Sequence, residues 1–434
     1  MKAEVLTIGD ELLRGEIVDS NKSFLSDRLL GLDIETRFHA SVLDDPDDMK
    51  DAFLRAEGRS DVILVSGGLG PTRDDLTCEA LAETFGREML LDEASLETLR
   101  GFFRGLGREM AENNAKQAWF PAGSEILPNP IGTAPGCLLK EGNAWFFCMP
   151  GVPRELYKMM DEQVMPRLAD RRGDGQVVRA TLLRTFGIGE SNLDEELADI
   201  AASGDVSLGF RTAFPDNYLR PLARAKTAEE AGRLLAQVSD AIRERLGPIV
   251  YAEGDETLPA VVARLLSEHG KSIAVAESCT GGLIAQELTE LSSASSFFLG
   301  GVVAYTGASK VALLGISEGV IAEHGSVSEA TARAMAEGVR ERFGADFGLA
   351  TTGVSGPDPV VDNGVERPVG LAYVALARES GTHCEEFQFP LDRPRHRQLT
   401  AHTAIDWVRR ALLEVPIVGP SLLEKRGGGP PPAR

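Results

Sequence analysis

Short runs of apolar and β-branched residues alternate with segments in which apolar positions recur every three to four residues, starting at the first residues of the chain. AEVLTIG, DIETRFHASVL and DVILVSGG have the spacing of strands, whereas Ser20 to Leu30 and the segment after Pro46 have that of helices. This alternation predicts a doubly wound α/β domain with a largely parallel sheet, whose ligands sit at the C-terminal ends of the strands. The pattern breaks at RRGDGQ, which sets a boundary near residue 172. Beyond it, VVRATLLRTFGIGESNLDEELADI, the strand YLRPLARAK and the helix TAEEAGRLLAQVSDAIRERLG predict a small α+β module with no chemistry beyond scattered arginines, a linker or dimerisation element. From Thr257 the alternation resumes, with a helix LPAVVARLLSEHG, a strand KSIAVAES, a helix GGLIAQELTEL, a strand FFLGGVVAY, a helix SEATARAMAEGVRERFG and the strands DFGLATTG and GLAYVALA. The expected fold class is therefore α/β: two three-layer α/β domains, 1–172 and 255–415, joined by the α+β module 173–254. The Gly/Pro-rich tail 416–434 has little to bury and is expected to be disordered. No internal repeat relates the two α/β domains.

Composition narrows the function. A chain of 434 residues exceeds one hydrophobic core, and 43% hydrophobic residues with 46 Gly suit large α/β cores with many tight turns. The formal charge of -21, from 66 acidic and 45 basic residues, repels polyanions and argues against nucleic-acid binding. The expected partners are small molecules or a second copy of the chain. Five cysteines, odd in number and without a C-x-x-C pair, indicate neither a disulfide framework nor a zinc knuckle, and suit reduced cytoplasmic thiols. No run has the length of a signal peptide's apolar segment or of a membrane span, so the expected location is cytoplasmic, with no membrane partner.

The densest candidate chemistry is Ala276-Glu277-Ser278-Cys279-Thr280-Gly281-Gly282, where an apolar strand meets an amphipathic helix. Tyr305-Thr306-Gly307-Ala308-Ser309-Lys310 and Thr351-Thr352-Gly353-Val354-Ser355-Gly356-Pro357 follow at later strand ends, so three hydroxyl- and glycine-rich turns converge on one sheet edge. A serine needs a neighbouring base to become a nucleophile, and a lysine of depressed pKa assisted by a tyrosine hydroxyl is one such base. Ser278, Lys310 and Tyr305 supply that set. Taken singly, these residues read as a helix cap, a solvated charge and an edge aromatic; their combination favours a site.

These residues resemble the CinA C-terminal domain, a family of nicotinamide mononucleotide deamidases. The resemblance is carried by the AESCTGG run, the Tyr-x4-Lys pair, the TG-x-x-GP turn, Pro368-Val369-Gly370, and Asp392-Arg393 with Arg397, over residues 257–412. It implies that Ser278 attacks the carboxamide carbon, that Lys310 activates it, that Tyr305 assists or orients, and that N–H groups around Cys279, Thr280, Gly281 and Gly282 hold the oxyanion. It further implies that Thr352, Gly353, Gly356, Arg393 and Arg397 line the nucleotide site, the arginines on phosphate or ribose. No cofactor is expected there. Two positions depart from the family's pattern: Gly307, where Asn or Asp is usual, and Asp358-Pro359-Val360-Val361-Asp362, where a Gly-rich loop is usual.

In the first domain, Ser66-Gly67-Gly68-Leu69-Gly70-Pro71-Thr72-Arg73-Asp74-Asp75 follows the strand DVILV and precedes a helix. A glycine loop feeding a helix cradles phosphate, and adjacent carboxylates hold a divalent ion, with hard oxygens favouring magnesium, manganese or cobalt. The same aspartates would equally suit the helix dipole. Gly9-Asp10-Glu11-Leu12-Leu13-Arg14-Gly15, Asp19-Ser20-Asn21, GGLGPT-x-DD, Lys116-Gln117-Ala118, Pro135-Gly136 and Pro150-Gly151-Val152-Pro153 resemble the CinA N-terminal domain, similar to molybdopterin-binding folds and associated with metal-dependent ADP-ribose pyrophosphatase activity. The resemblance covers residues 1–170. It places Ser66, Gly67, Gly68, Gly70 and Thr72 at a pyrophosphate and Asp10, Asp74 and Asp75 at the metal. The middle module corresponds to the family's KH-like domain, implying a homodimer.

The expected function is a bifunctional pyridine-nucleotide hydrolase acting on nicotinamide mononucleotide and ADP-ribose. The alternatives are a non-catalytic nucleotide-binding protein of competence or damage responses, and a protein in which the N-terminal pyrophosphatase alone is active. Hydride transfer is disfavoured, because G-x-G-x-x-G is missing and the Tyr–Lys spacing is one residue longer than the Tyr-x3-Lys of short-chain dehydrogenases.

Overall fold

The computed structural model describes residues 1–173, 175–201 and 206–421. It forms two compact units, Met1–Arg179 with Arg224–Gly232, and Ala180–Ala223 with Arg233–Arg434. The small middle module thus belongs mainly to the same unit as the C-terminal domain.

The first unit is built on a six-stranded sheet ordered Glu35–Val42, Lys2–Ile8, Val62–Ser66, Ala144–Met149, Gly136–Glu141, Glu125–Leu127. Its first four strands are parallel and its last two antiparallel. Alternate residues of the central strands face opposite sides. Leu6, Ile63, Val65 and Phe146 pack with Met49 and Phe53 of helix Pro46–Glu57; Val5, Val62, Leu64 and Phe147 pack with Leu25 and Leu29 of helix Ser20–Leu30. Burial on both faces explains why these strands are apolar throughout rather than alternating. The two helices begin where short acidic residues precede them: Asp19 accepts the N–H of Lys22, and Asp45 those of Asp47 and Asp48.

In the second unit, a five-stranded sheet runs Phe298–Val303, Ile273–Glu277, Phe347–Gly353, Leu371–Arg378, Gly381–Gln388. The first three strands are parallel, the rest antiparallel. Ile273, Val275 and Leu349 face helices Leu258–Glu268 and Arg393–Leu412, while Ala274, Ala276 and Ala350 face helix Glu329–Phe343. Strand Gly381–Gln388 has no counterpart in the sequence expectation, because an edge strand rich in polar residues carries little apolar signal. The middle module carries the antiparallel strands Val206–Ala213, Asp216–Ala225, Leu183–Thr185 and Val250–Glu253, with helices Glu190–Ala201 and Ala228–Leu246.

Of the tail expected to be disordered, residues 416–421 are tied down: Trp407 donates to the Val418 carbonyl at 3.2 Å, and the Ser421 N–H to that of Gly187 at 2.8 Å. Residues 422–434 lie outside the described residues. No described helix is long and apolar enough to cross a membrane.

Candidate functional site

Strand Ile273–Glu277 delivers Ser278 to its C-terminal end, and helix Gly307–Leu314 delivers Lys310. That helix starts at a defined point because Thr306 and Ser309 form a reciprocal capping box, so its inner face carries Lys310 under the turn. Lys310 Nζ lies 3.2 Å from Ser278 Oγ, with Lys310 1% and Ser278 5% exposed. Burial lowers the Lys310 pKa to about 8, which leaves roughly a tenth of it neutral at pH 7, far more than for a solvated lysine. Adjacent Cys279 is also buried, and burial pushes its thiol up to about 12, away from the thiolate that nucleophilic attack requires. The expected Ser–Lys pair is assembled.

Tyr305 is placed differently. Its side chain is 58% exposed and its hydroxyl accepts a hydrogen bond from Arg393 at 3.4 Å; no hydrogen bond joins it to Ser278 or Lys310 among the described residues. Arg393 also donates to the Gly356 carbonyl at 2.7 Å, so Tyr305 and Arg393 form an exposed polar pair beside the TG-x-x-GP turn. Arg397 turns inward, donating through Nε and Nη2 to the Thr280 carbonyl at 3.1 and 2.7 Å. Thr280 and Thr352 are fully buried. The Thr280 hydroxyl pairs with that of Thr351 at 2.7 Å, and the Thr352 hydroxyl donates to the Ser326 carbonyl at 2.9 Å. These hydroxyls hold the turns together rather than facing a ligand. Gly353 is required by close strand approach, since a Cβ there would lie 2.3 Å from the Leu371 carbonyl oxygen.

Three residues outside the expected set complete the architecture. Glu277, at the strand end, accepts the N–H groups of Gly282, Ile284 and Ala285 at 2.9, 3.2 and 2.9 Å. His396, fully buried one turn along from Arg393, shares a 2.9 Å hydrogen bond with Ser355. Asp362 accepts from the Ser326 hydroxyl at 3.2 Å and the Val327 N–H at 2.7 Å, so the unusual Asp358–Asp362 loop is anchored to the segment that holds Thr352. A glutamate inside AESCTGG was in plain view. Its role was hidden, because only the folded turn brings three N–H groups onto it.

In the first unit, the glycine loop borders a cleft of about 510 Å³, together with Glu11, Asp44, Asp74, Asp75 and Gln117. Gly67 has φ +109°, and a Cβ there would lie 2.2 Å from the Ile8 carbonyl oxygen. Its N–H is spent on the Met149 carbonyl, leaving those of Gly68, Leu69 and Gly70 without partners among the described residues. Ser66 is buried and accepts from Asn21 at 3.0 Å, which removes it from the expected phosphate contacts. Thr72 donates its N–H, at 2.8 Å, and its hydroxyl to the Asp75 carboxylate.

The expected metal set is not assembled. Asp10 pairs with Arg14 and accepts the Asp44 N–H, while Asp75 is occupied by Thr72. Among the described residues no group of three or more His, Cys, Asp or Glu is placed to hold one metal ion. Local partners satisfy these carboxylates, which is why their clustering in sequence does not become a ligand cage. Asp44, absent from the sequence expectation, lines the cleft, and burial raises its pKa with the neighbouring carboxylates adding to the effect. The helix after the loop begins only at Thr77, so its N-terminus does not directly follow the glycines; Thr77 instead donates its hydroxyl to the Gly67 carbonyl at 2.8 Å.

Comparison with known proteins assigns each part. Residues 255–412 match the CinA C-terminal domain, residues 4–170 the probable molybdopterin binding domain, and residues 180–252 the KH domain of damage-inducible protein CinA. A CinA-like protein of Geobacter sulfurreducens is 41% identical over 414 residues, covering 95% of this chain and 100% of the relative. A putative competence-damage inducible protein of Acetivibrio thermocellus is 39% identical over 416 residues, covering 96% and 100%. A solved CinA structure from Thermoplasma acidophilum, itself described as of unknown function, aligns at 33% identity with TM-score 0.36, covering 38% of this chain and 96% of that one. With such identity sustained across nearly its whole length and all three domains matched in order, the chain belongs to the CinA family.

Proposed function

We propose that the second unit is a nicotinamide-nucleotide amidase, converting nicotinamide mononucleotide and water to nicotinate mononucleotide and ammonia. The observation that carries it is the 3.2 Å contact between a buried lysine amine and a buried serine hydroxyl at a glycine turn. Neutral Lys310 takes the Ser278 proton as Oγ bonds to the carboxamide carbon, giving a tetrahedral oxyanion. As the C–N bond breaks, the lysine returns that proton to the departing amine, which leaves as ammonia. Water, deprotonated by the same lysine, then attacks the acyl ester, and the lysine passes that proton to Ser278 Oγ as it leaves, which restores both groups. Tyr305 and Arg393 at the exposed edge suit contacts to the ribose and phosphate. The test is release of ammonia and nicotinate mononucleotide by the purified protein, with Ser278→Ala and Lys310→Ala as controls; no turnover by the wild type would overturn the assignment.

A second activity is proposed for the first unit: hydrolysis of ADP-ribose in the cleft bordered by Gly67–Gly70. The free N–H groups of Gly68, Leu69 and Gly70 favour a pyrophosphate, and the surrounding carboxylates favour hard divalent ions brought with it. Release of AMP from ADP-ribose, unaffected by Ser278→Ala, tests it.

A further inference from the structure

We infer that the Thr280–Gly281 peptide is the oxyanion donor of the second unit, and that Glu277 and Arg397 are positioning residues that build it. The inference rests on the amidase function proposed above and assigns the parts of its anion-stabilising turn. Four N–H groups near Ser278 are already spent. Ser278 donates its own to the Thr351 carbonyl at 2.9 Å, and Gly282, Ile284 and Ala285 donate theirs to Glu277. The start of helix Leu283–Thr289 is therefore capped by the Glu277 side chain and offers nothing to a substrate anion. The N–H groups of Cys279, Thr280 and Gly281 have no partner among the described residues, and Arg397 singles out the peptide that carries the last.

Arg397 acts on the other end of the same peptide. Its two nitrogens close on the Thr280 carbonyl from one side, and in a trans peptide the Gly281 N–H points the opposite way. A guanidinium on the carbonyl polarises the peptide and strengthens its N–H as a donor, as hydrogen bonds in a chain do. Gly281 has φ +62°, and a Cβ there would lie 3.3 Å from Arg397 Nη2, so glycine admits both the turn and the arginine. Glu277 and Arg397 thus grip the turn at its N–H and carbonyl ends, and Arg397 is committed inward rather than to a substrate phosphate.

The experiment measures kcat and KM for nicotinamide mononucleotide in wild type, Arg397→Lys, Arg397→Gln and Glu277→Gln, together with the rate at which a fluorophosphonate, which lacks the nucleotide, labels Ser278. Loss of an oxyanion donor typically costs about 10²- to 10³-fold in kcat, so weakening one should cost about tenfold or more. The expected result is that kcat and the labelling rate fall together in Arg397→Gln and Glu277→Gln, with KM within about twofold of wild type. Arg397→Lys, which keeps the charge but makes one bond instead of two, should fall between. A raised KM with kcat and labelling preserved in the Arg397 variants would make Arg397 a phosphate contact and overturn the inference, as would wild-type labelling rates in Glu277→Gln. Wild-type protein that neither turns over substrate nor is labelled at Ser278 would instead overturn the amidase function and this inference with it, so the two failures are told apart.

Discussion

Two strand-to-helix turns, one in each unit, share small residues and glycines at a sheet edge, yet they are prepared for different tasks. Around Ser278 the serine and the lysine are buried and touch, and most of the side-chain polar groups are already spent on holding the turn. Around Gly67–Gly70 the turn opens onto a wide cleft where Asp44 and Asp75 are held by local partners, and no group of three metal-ligating side chains is gathered among the described residues. A buried turn is pre-organised, so its electrostatics act without reorganisation during reaction. An open acidic turn must acquire its charge balance from what binds. A glycine-rich strand end is thus a frame, and burial around it decides whether the chemistry is carried by the protein or brought by the ligand.

Four substitutions probe that contrast, in decreasing order of expected effect. Ser278→Ala should lower deamidation by at least about 10³-fold while AMP release from ADP-ribose is unchanged, measured on one preparation with both substrates; loss of both would show that the units are not independent. Lys310→Met should cost about 10²- to 10⁴-fold. In the wild type, the base must be unprotonated, and its pKa is lowered to about 8, so kcat/KM should rise about tenfold per pH unit below that value and level off above it. A rate independent of pH between 6 and 9 would remove Lys310 as the base.

Gly67→Ala should act in the opposite unit. The φ of +109° and the 2.2 Å approach to the Ile8 carbonyl oxygen forbid a Cβ without backbone movement, at a cost of about 1–3 kcal/mol. Calorimetry should show a lowered transition for the first unit, with deamidation retained. The smallest effect belongs to Asp75→Asn. It weakens the bonds that hold Thr72 and should reduce ADP-ribose turnover by a few-fold with little change in Tm, since both residues are near the surface; a complete loss would promote Asp75 from loop anchor to a direct role.

How much was legible depended on whether the signal was local. The central strands and the helices Ser20–Leu30 and Pro46–Glu57 stand where apolar periodicity and capping residues put them, because both are encoded within a few residues. Ser278 and Lys310 were found from turn chemistry and family resemblance, and the fold brings them together. Asp10, Asp74 and Asp75 are not gathered around one point among the described residues, since proximity in sequence says nothing of which carboxylate is already paired. Asp44 escaped notice because it lies between a strand and a helix with no motif around it.

From the sequence came the α/β class, the family and the choice of Ser278 and Lys310 as a pair, because period, strand-end glycines and residue order survive without coordinates. Only the tertiary structure decided which groups are free to act. Glu277 collecting three N–H groups, Arg397 turned onto a backbone carbonyl and Tyr305 left outside the Ser–Lys pair all follow from contacts between segments up to 117 residues apart. Hydrogen-bond commitment and burial are properties of the assembled neighbourhood, and no single stretch of chain carries them.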